Sequence, residues 1–219
     1  MIENAKENSQ RVELKDRIIE TASEAFTAHG IKSITMDDIA ASLGISKRTL
    51  YEVFQDKESL LTQCILKRQE EMNAFLAETL ANSKNVLEVI LVCYQRSIET
   101  FHRTNKRFFE DIKKYPKVHS LLKNYRERDS DSTIEFFKMG IKQGIFRDDV
   151  NFAIVNLLVH EQLDLLMNTD ICNKYSFLEV YEAIMFTYIR GISTEKGAKV
   201  LEDFITVSYT HLRAHETRH

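Results

Sequence analysis

Hydrophobic residues recur at intervals of three and four along most of this chain, the spacing of helices that bury one face. Leu14, Ile18 and Phe26 belong to one such stripe, which ends at His29 before Gly30. Glycine commonly ends a helix because it adopts the left-handed conformation without strain. Further stripes of the same kind predict an all-α fold with later helices over residues 57–81, 86–103 and 116–144.

The segment that follows the first stripe has the pattern of two short helices separated by a turn. Thr35 can cap the first helix together with Asp38, and Gly44 can end it. Ser46 can cap the second helix, whose apolar positions recur at helical spacing as far as Phe54. Two helices joined in this way form the helix-turn-helix, which places its second helix in the major groove of DNA.

The helix predicted over 116–144 contains a polar interruption. Pro116 suits the first turn of a helix, and apolar positions continue at helical spacing toward Gly144. Residues 126–132, with the sequence RERDSDS, contain no side chain suited to burial. We therefore expect this part of the helix to face solvent or to kink.

Two further helices, predicted over 152–167 and 177–192, are apolar on most of their sides. A helix of this kind needs packing partners in more than one direction. A thick core within one chain could supply them, but we favour a homodimer in which both helices also meet a second copy. The residues assigned to that interface are Leu158, Leu165, Tyr181, Ile184 and Tyr188.

Composition and charge narrow the class of protein. The chain of 219 residues has 43% hydrophobic residues, six glycines and one proline, which fits a well-packed protein of long helices. Its net charge is −3, and residues 1–60 contain eight Lys/Arg against eleven Asp/Glu, so any DNA-binding surface must be local. Three widely spaced cysteines, no signal-peptide core and no long apolar run predict a cytoplasmic protein without a membrane segment.

The common catalytic and cofactor motifs do not occur in the sequence. There is no GxSxG, GxxxxGK[ST] or GxGxxG. His160 and Glu161 begin a zinc motif, but Asp164 stands where the second histidine is needed. We therefore expect no cofactor and no metal site, and an all-α enzyme is disfavoured.

The run from Gly44 to Leu61, GISKRTLYEVFQDKESLL, resembles the signature of the TetR/AcrR family of transcriptional regulators. The positions that agree are Gly44, Ile45, Ser46, Thr49, Leu50, Tyr51, Phe54, Lys57, Leu60 and Leu61. The resemblance implies a small DNA-binding domain followed by a larger helical domain that dimerises and encloses a ligand pocket. It also implies a double-stranded DNA operator as partner.

The resemblance implies that DNA phosphates are contacted by Thr35, Thr49, Tyr51 and Lys57. Ser46, at the start of the second helix, is included in the DNA-binding set. Lys47 and Arg48 are not required by any core and lie in the first turn of the second helix. Cations there are slightly unfavourable for the helix, so we infer that both serve a polyanion and that Arg48 contacts a base edge.

The predicted domains are a disordered segment over 1–10, a helix-turn-helix domain over 11–57, a helical ligand-binding and dimerisation domain over 58–207, and a disordered or artefactual tail over 208–219. We expect a dimeric, ligand-responsive regulator, most simply a repressor, released by an unknown hydrophobic or amphipathic small molecule. Control by a protein partner without a small ligand is the alternative. Candidate pocket residues are Tyr94, Phe101, His119, Tyr125, Phe137 and His160.

Overall fold

The computed structural model describes the backbone of residues 2–128, 130–168, 171 and 174–216, and the side chains of 8–118, 120–122, 124, 132–163, 166, 171 and 174–206. Within those ranges the protein is all-α, as predicted, and the one extended pairing is a bridge between Phe146 and Ser193. The described helices are α1 (Ile2–His29), α2 (Met36–Leu43), α3 (Lys47–Val53), α4 (Lys57–Asn82), α5 (Val86–Arg103), α6 (Lys106–Ile112), α7 (Pro116–Arg128), α8 (Ser130–Lys142), α9 (Phe152–Asn168), α10 (Phe177–Ile192) and α11 (Glu195–Glu216).

The chain divides into two compact units whose boundaries differ from the predicted domains. The first unit comprises Met1–Phe75 and Glu99–Arg126, and the second comprises Leu76–Ile98 and Glu127–His219. The boundary predicted between residues 57 and 58 therefore falls inside the first unit. The physical reason is that one hydrophobic core joins the first three helices to the early part of α4 and to α6 and α7.

Hydrogen bonds from distant parts of the chain complete the first unit. The carboxylate of Asp111 in α6 accepts the backbone N–H of Lys32 at 2.7 Å, in the loop between α1 and α2. The N–H of Asn105 donates to the carbonyl of Thr27 at 2.8 Å, near the end of α1. Gly30 in the same loop has φ 86°, and a Cβ there would lie 2.7 Å from Cβ of Arg107. The helix-turn-helix is thus held by α6 as well as by α1.

The second unit has its own core, to which α5, α8, α9, α10 and α11 contribute. The turn after α8 is tied to the end of α10, where the N–H of Arg147 donates to the carbonyl of Ile192 at 2.9 Å. Gly197 near the start of α11 has no room for a side chain, because a Cβ would lie 2.4 Å from the carbonyl oxygen of Ile145. None of the helices in the described part of the chain is long and apolar enough to cross a bilayer.

Three predicted segments differ from the observed backbone. Residues 1–10 were expected to be disordered, but helix α1 begins at Ile2. Their sequence is polar but contains no proline or glycine that would interrupt a helix. Residues 116–144 form α7 and α8 rather than one continuous helix, and the division falls within the polar run 126–132. Helix α11 extends to Glu216, so the backbone of 208–216 is helical where the sequence pattern predicts a tail.

Candidate nucleic-acid interface

Local side-chain contacts fix the start of α2 as the sequence predicts. The hydroxyl of Thr35 accepts the N–H of Asp38 at 3.1 Å, and the carboxylate of Asp38 accepts the N–H of Thr35 at 2.8 Å. This reciprocal capping box satisfies two donors that a helix start otherwise leaves unpaired. The Thr35 hydroxyl also donates to Asp38, and this bond is the main reason why the pKa of that carboxyl is lowered.

The turn between α2 and α3 requires its glycine. Gly44 has φ 66° and ψ 27°, and the surrounding bonds form a Schellman motif. The N–H of Ile45 donates to Ala40 at 3.0 Å, and that of Gly44 donates to Ala41 at 3.1 Å. Ala40 is 2% exposed, so its small side chain lets the two helices approach closely.

Helix α3 is anchored from within and presents its polar residues outward. Ser46 caps it by accepting the N–H of Thr49 at 3.0 Å, and the two hydroxyls are 2.8 Å apart. Leu50 is fully buried, and Phe54, which follows the helix, is 4% exposed. Tyr51 is 49% exposed, so its ring and hydroxyl are available to a partner.

Both cations of the first turn of α3 are exposed and paired with carboxylates. The Lys47 side chain is 67% exposed and bonded to Asp37 of α2, and this bond raises the pKa of the lysine. The Arg48 side chain is 90% exposed, and its Nε donates to Oε1 of Glu52 at 2.9 Å. Asp37 and Glu52 were not predicted from the sequence, although the spacing of Arg48 and Glu52 is that of helical ion pairs.

Lys57, at the start of α4, has a different environment from the cations of α3. Its ammonium lies 5.7 Å from the centroid of the Phe26 ring, within the range of a cation–π contact. Partial burial is the main cause of a lowered pKa for Lys57, and nearby Asp111 and Asp38 act in the opposite direction. Part of this side chain therefore packs against the core of the first unit.

The candidate pocket residues that the structure describes belong to both units. Tyr94 and Phe137 are core residues of the second unit: the Tyr94 hydroxyl donates to Glu182 at 2.8 Å, and Phe137 stacks on Phe152 at 4.5 Å. Phe101 belongs to the first unit and stacks on Phe109, with ring centroids 5.5 Å apart. His160 is partly buried in α9. The side chains of His119 and Tyr125 lie outside the described residues.

The residues assigned to a dimer interface have different environments. Leu158 is 46% exposed and lies on one side of α9 with two other exposed apolar residues, Ile154 at 54% and Leu157 at 58%. We call these three residues the α9 apolar face. Tyr181, in contrast, is only 9% exposed and stacks on Tyr94, so it belongs to the core of the second unit. Ile184 and Tyr188 are partly buried, and the side chain of Leu165 lies outside the described residues.

A cavity of about 550 Å³ lies within the first unit, and Cys64 contributes to its wall. Burial raises the pKa of the Cys64 thiol to about 11, so this thiol is protonated and unreactive at neutral pH. Cations and carboxylates are equally numerous around the cavity, which favours no class of ligand: Lys67, Arg68, Arg103, Glu20, Glu24 and Glu71. Among the described residues, no group of metal-binding side chains meets at one point.

The helix-turn-helix and its flanking helices coincide with a known domain. A profile of bacterial regulatory proteins of the tetR family matches residues 18–64. This segment of the chain is therefore similar to the DNA-binding domain of TetR-family regulators. Its relatives are regulators of transcription rather than enzymes.

Two relatives show how far along the chain the similarity extends. The transcriptional repressor KstR2 of Mycobacterium tuberculosis is 23% identical over 160 residues, which are 70% of this chain and 78% of the repressor. A transcriptional regulator of Staphylococcus aureus is 37% identical over 78 residues, but these cover only 36% of this chain and 37% of the relative.

A solved structure shares the fold over most of the length of this chain. A transcriptional regulator of Saccharomonospora viridis, solved in complex with choline, has a TM-score of 0.67 and 18% identity. The alignment covers 84% of this chain and all of that protein. Similarity at this level of identity establishes the helical architecture.

Proposed function

We propose that this chain is a dimeric repressor of transcription that binds a two-fold symmetric operator and is released by a small hydrophobic or amphipathic molecule. The observation that carries the proposal is the exposure of Lys47 and Arg48 in the first turn of the second helix of a helix-turn-helix. Residues at this place reach base edges in the major groove. A surface of two well-exposed cations with fixed backbone geometry suits an anionic double helix.

The phosphate contacts are assigned to polar residues on α3 and at the starts of α2 and α4. Ser46 and Thr49 lie at the start of α3, and Tyr51 is exposed on its surface. Thr35 precedes α2, and its hydroxyl already donates to Asp38 in the capping box. To contact a phosphate, this hydroxyl would have to donate to both the Asp38 carboxylate and the phosphate oxygen. Lys57 would contact phosphate with its ammonium while its stem stays packed near Phe26.

Dimerisation is supported by the α9 apolar face. Three exposed apolar residues at positions i, i+3 and i+4 form a continuous stripe on one helix. A second copy of the chain would bury this stripe in an interface where each protomer contributes the same surface. The dimer would present two α3 helices to successive major grooves, roughly 34 Å apart.

The release of DNA by a small molecule is supported by two relatives and by the size of the second unit. A structural neighbour was solved with choline, and KstR2 of Mycobacterium tuberculosis is a ketosteroid transcriptional regulator. A ligand that prefers one dimer geometry would change DNA affinity through a coupling free energy of typically about 1–3 kcal/mol. In such a pocket Phe137 would supply apolar bulk, and Tyr94 and the partly buried His160 would add polar groups.

Selection of duplexes from a random library by the purified protein tests the proposal, followed by titrations at several salt concentrations. Wild type should enrich an inverted repeat. Arg48→Ala should lose about 1–3 kcal/mol on the selected duplex and relax one position of each half-site. Lys57→Ala should weaken selected and scrambled duplexes alike and reduce the salt slope by about one.

Arg190→Ala is the matched control, because it removes an exposed arginine that pairs with Glu202 in the second unit. This variant should bind as wild type does. Failure to enrich any motif, or equal binding by all four proteins, would remove the helix-turn-helix as the DNA-binding surface.

A further inference from the structure

The contact between Arg48 and Glu52 uses a particular nitrogen of the guanidinium. Nε of Arg48 donates to Oε1 of Glu52 at 2.9 Å, across one turn of α3. A guanidinium has five N–H donors, of which four are on the two terminal nitrogens. A bond through Nε therefore leaves terminal donors for the paired contact that arginine makes with O6 and N7 of guanine.

The same contact limits the freedom of a long, exposed side chain. Arg48 is the most exposed side chain among the ion pairs that we describe, at 90%, whereas Glu52 is 60% exposed. Without a partner, such an arginine samples many rotamers and must lose that freedom when it binds. A neighbouring acceptor one helical turn away orders the side chain in advance, which favours a partner of matching geometry.

The charge around α3 favours a base edge over phosphate as the target of this arginine. Residues 35–57 contain three cations, Lys47, Arg48 and Lys57, against four carboxylates. Two of the carboxylates, Asp37 and Glu52, lie directly beside the cations of α3. Carboxylates repel phosphates, whereas the major-groove edge of guanine is a neutral pair of acceptors.

We propose that Glu52 is a positioning residue that presents Arg48 to a guanine in each half-site of the operator. This inference rests on the proposed function, because it requires α3 to lie in the major groove. Glu52 itself does not read the base. Its role is to make one side chain of this chain specific for guanine rather than attracted to any DNA.

The test measures binding of wild type, Arg48→Ala, Glu52→Ala and Glu52→Gln to the selected duplex and to variants with each base changed in turn. Wild type should prefer guanine at one position per half-site by about 5- to 150-fold. Arg48→Ala should lose this preference. Glu52→Ala should reduce it several-fold at the same position only, and Glu52→Gln should retain part of it because an amide oxygen can still accept from Nε.

Asp37→Asn is the matched control for charge, because it removes one carboxylate beside α3 without touching Arg48. It should strengthen binding to all duplexes similarly and leave base preference unchanged. The proposal is overturned if Arg48→Ala loses the guanine preference while Glu52→Ala keeps it, or if Glu52→Ala behaves as Asp37→Asn does. It is also overturned if Arg48→Ala keeps the full preference, whereas a wild type that selects no motif would refute the proposed function itself. Far-ultraviolet circular dichroism confirms that each variant is folded.

Discussion

Replacement of Leu158 by alanine tests the role of the α9 apolar face in dimerisation. Leu158 is 46% exposed and is absent from the buried core of the second unit, so its truncation should leave the fold of each chain intact. If a second copy covers this face, the same truncation removes apolar contact from the interface. Leu158→Ala should therefore weaken association if the α9 apolar face forms the dimer interface, and leave association unchanged if it does not. In both cases its effect on unfolding of the single chain should be small.

The magnitude follows from the exposed fraction. Complete burial of a leucine side chain contributes about 1.5–3 kcal/mol. The exposed fraction of Leu158 is 46%, so covering it should contribute about 1 kcal/mol in each protomer. Two-fold symmetry places the residue in the interface twice, so Leu158→Ala should cost about 2 kcal/mol and raise the dimer Kd about 30-fold.

Sedimentation equilibrium over a wide range of concentrations measures this Kd directly. Leu158→Glu should weaken the dimer further, because the interface would then bury an unpaired charge. Leu76→Ala is the control, since Leu76 is 41% exposed on α4 and lies outside the α9 apolar face. A monomeric wild type, or equal Kd values for Leu158→Ala and Leu76→Ala, would refute the assignment of this face to the dimer.

Four further substitutions test packing, backbone conformation and burial. Gly140→Ala places a Cβ 2.2 Å from the Phe146 ring, so it should lower the free energy of unfolding, measured in urea titrations, by about 1–3 kcal/mol. Gly191→Ala is the control, because its Cβ would have no neighbouring atom within 4 Å, and it should be neutral or stabilising. Gly44→Ala should cost about 1–2 kcal/mol because φ is +66° there, and an unchanged urea midpoint would contradict this. Burial raises the pKa of the Cys64 thiol from 9.0 to about 11, so the unfolded chain loses this proton at lower pH than the folded chain does. The free energy of unfolding should therefore fall as pH rises from 9 to 11, by about 3 kcal/mol in all. Cys64→Ala should lack this part of the pH dependence, as unfolding at pH 8 and pH 11 will show.

The helix-turn-helix was predictable because its signals are local. Thr35 and Asp38 are three residues apart, Gly44 ends α2, and Ser46 caps α3; each acts through its own short stretch of backbone. The structure confirms all of these caps. Local chemistry of this kind is readable from sequence because it does not depend on distant parts of the chain.

Features that depend on distant contacts were not predictable in the same way. The pattern of α10 is apolar on most sides, so it could not indicate that Tyr181 faces Tyr94 in the core. The role of α6 in holding the loop after α1 depends on Asp111, which is 79 residues from its partner Lys32. The pairing of Lys47 with Asp37 joins residues ten positions apart on two helices, so it depends on how α2 and α3 pack.

The contribution of α6 to the first unit has a consequence for protein engineering. The TetR-family match ends at residue 64, but the folded unit also uses residues 99–126. A fragment cut at the end of the family match would lack Asp111 and Asn105, the residues that bond to the α1–α2 loop and the end of α1. A chimera that transfers the operator preference of this chain to another regulator should therefore carry both segments, or redesign the recipient's surface where α6 docks.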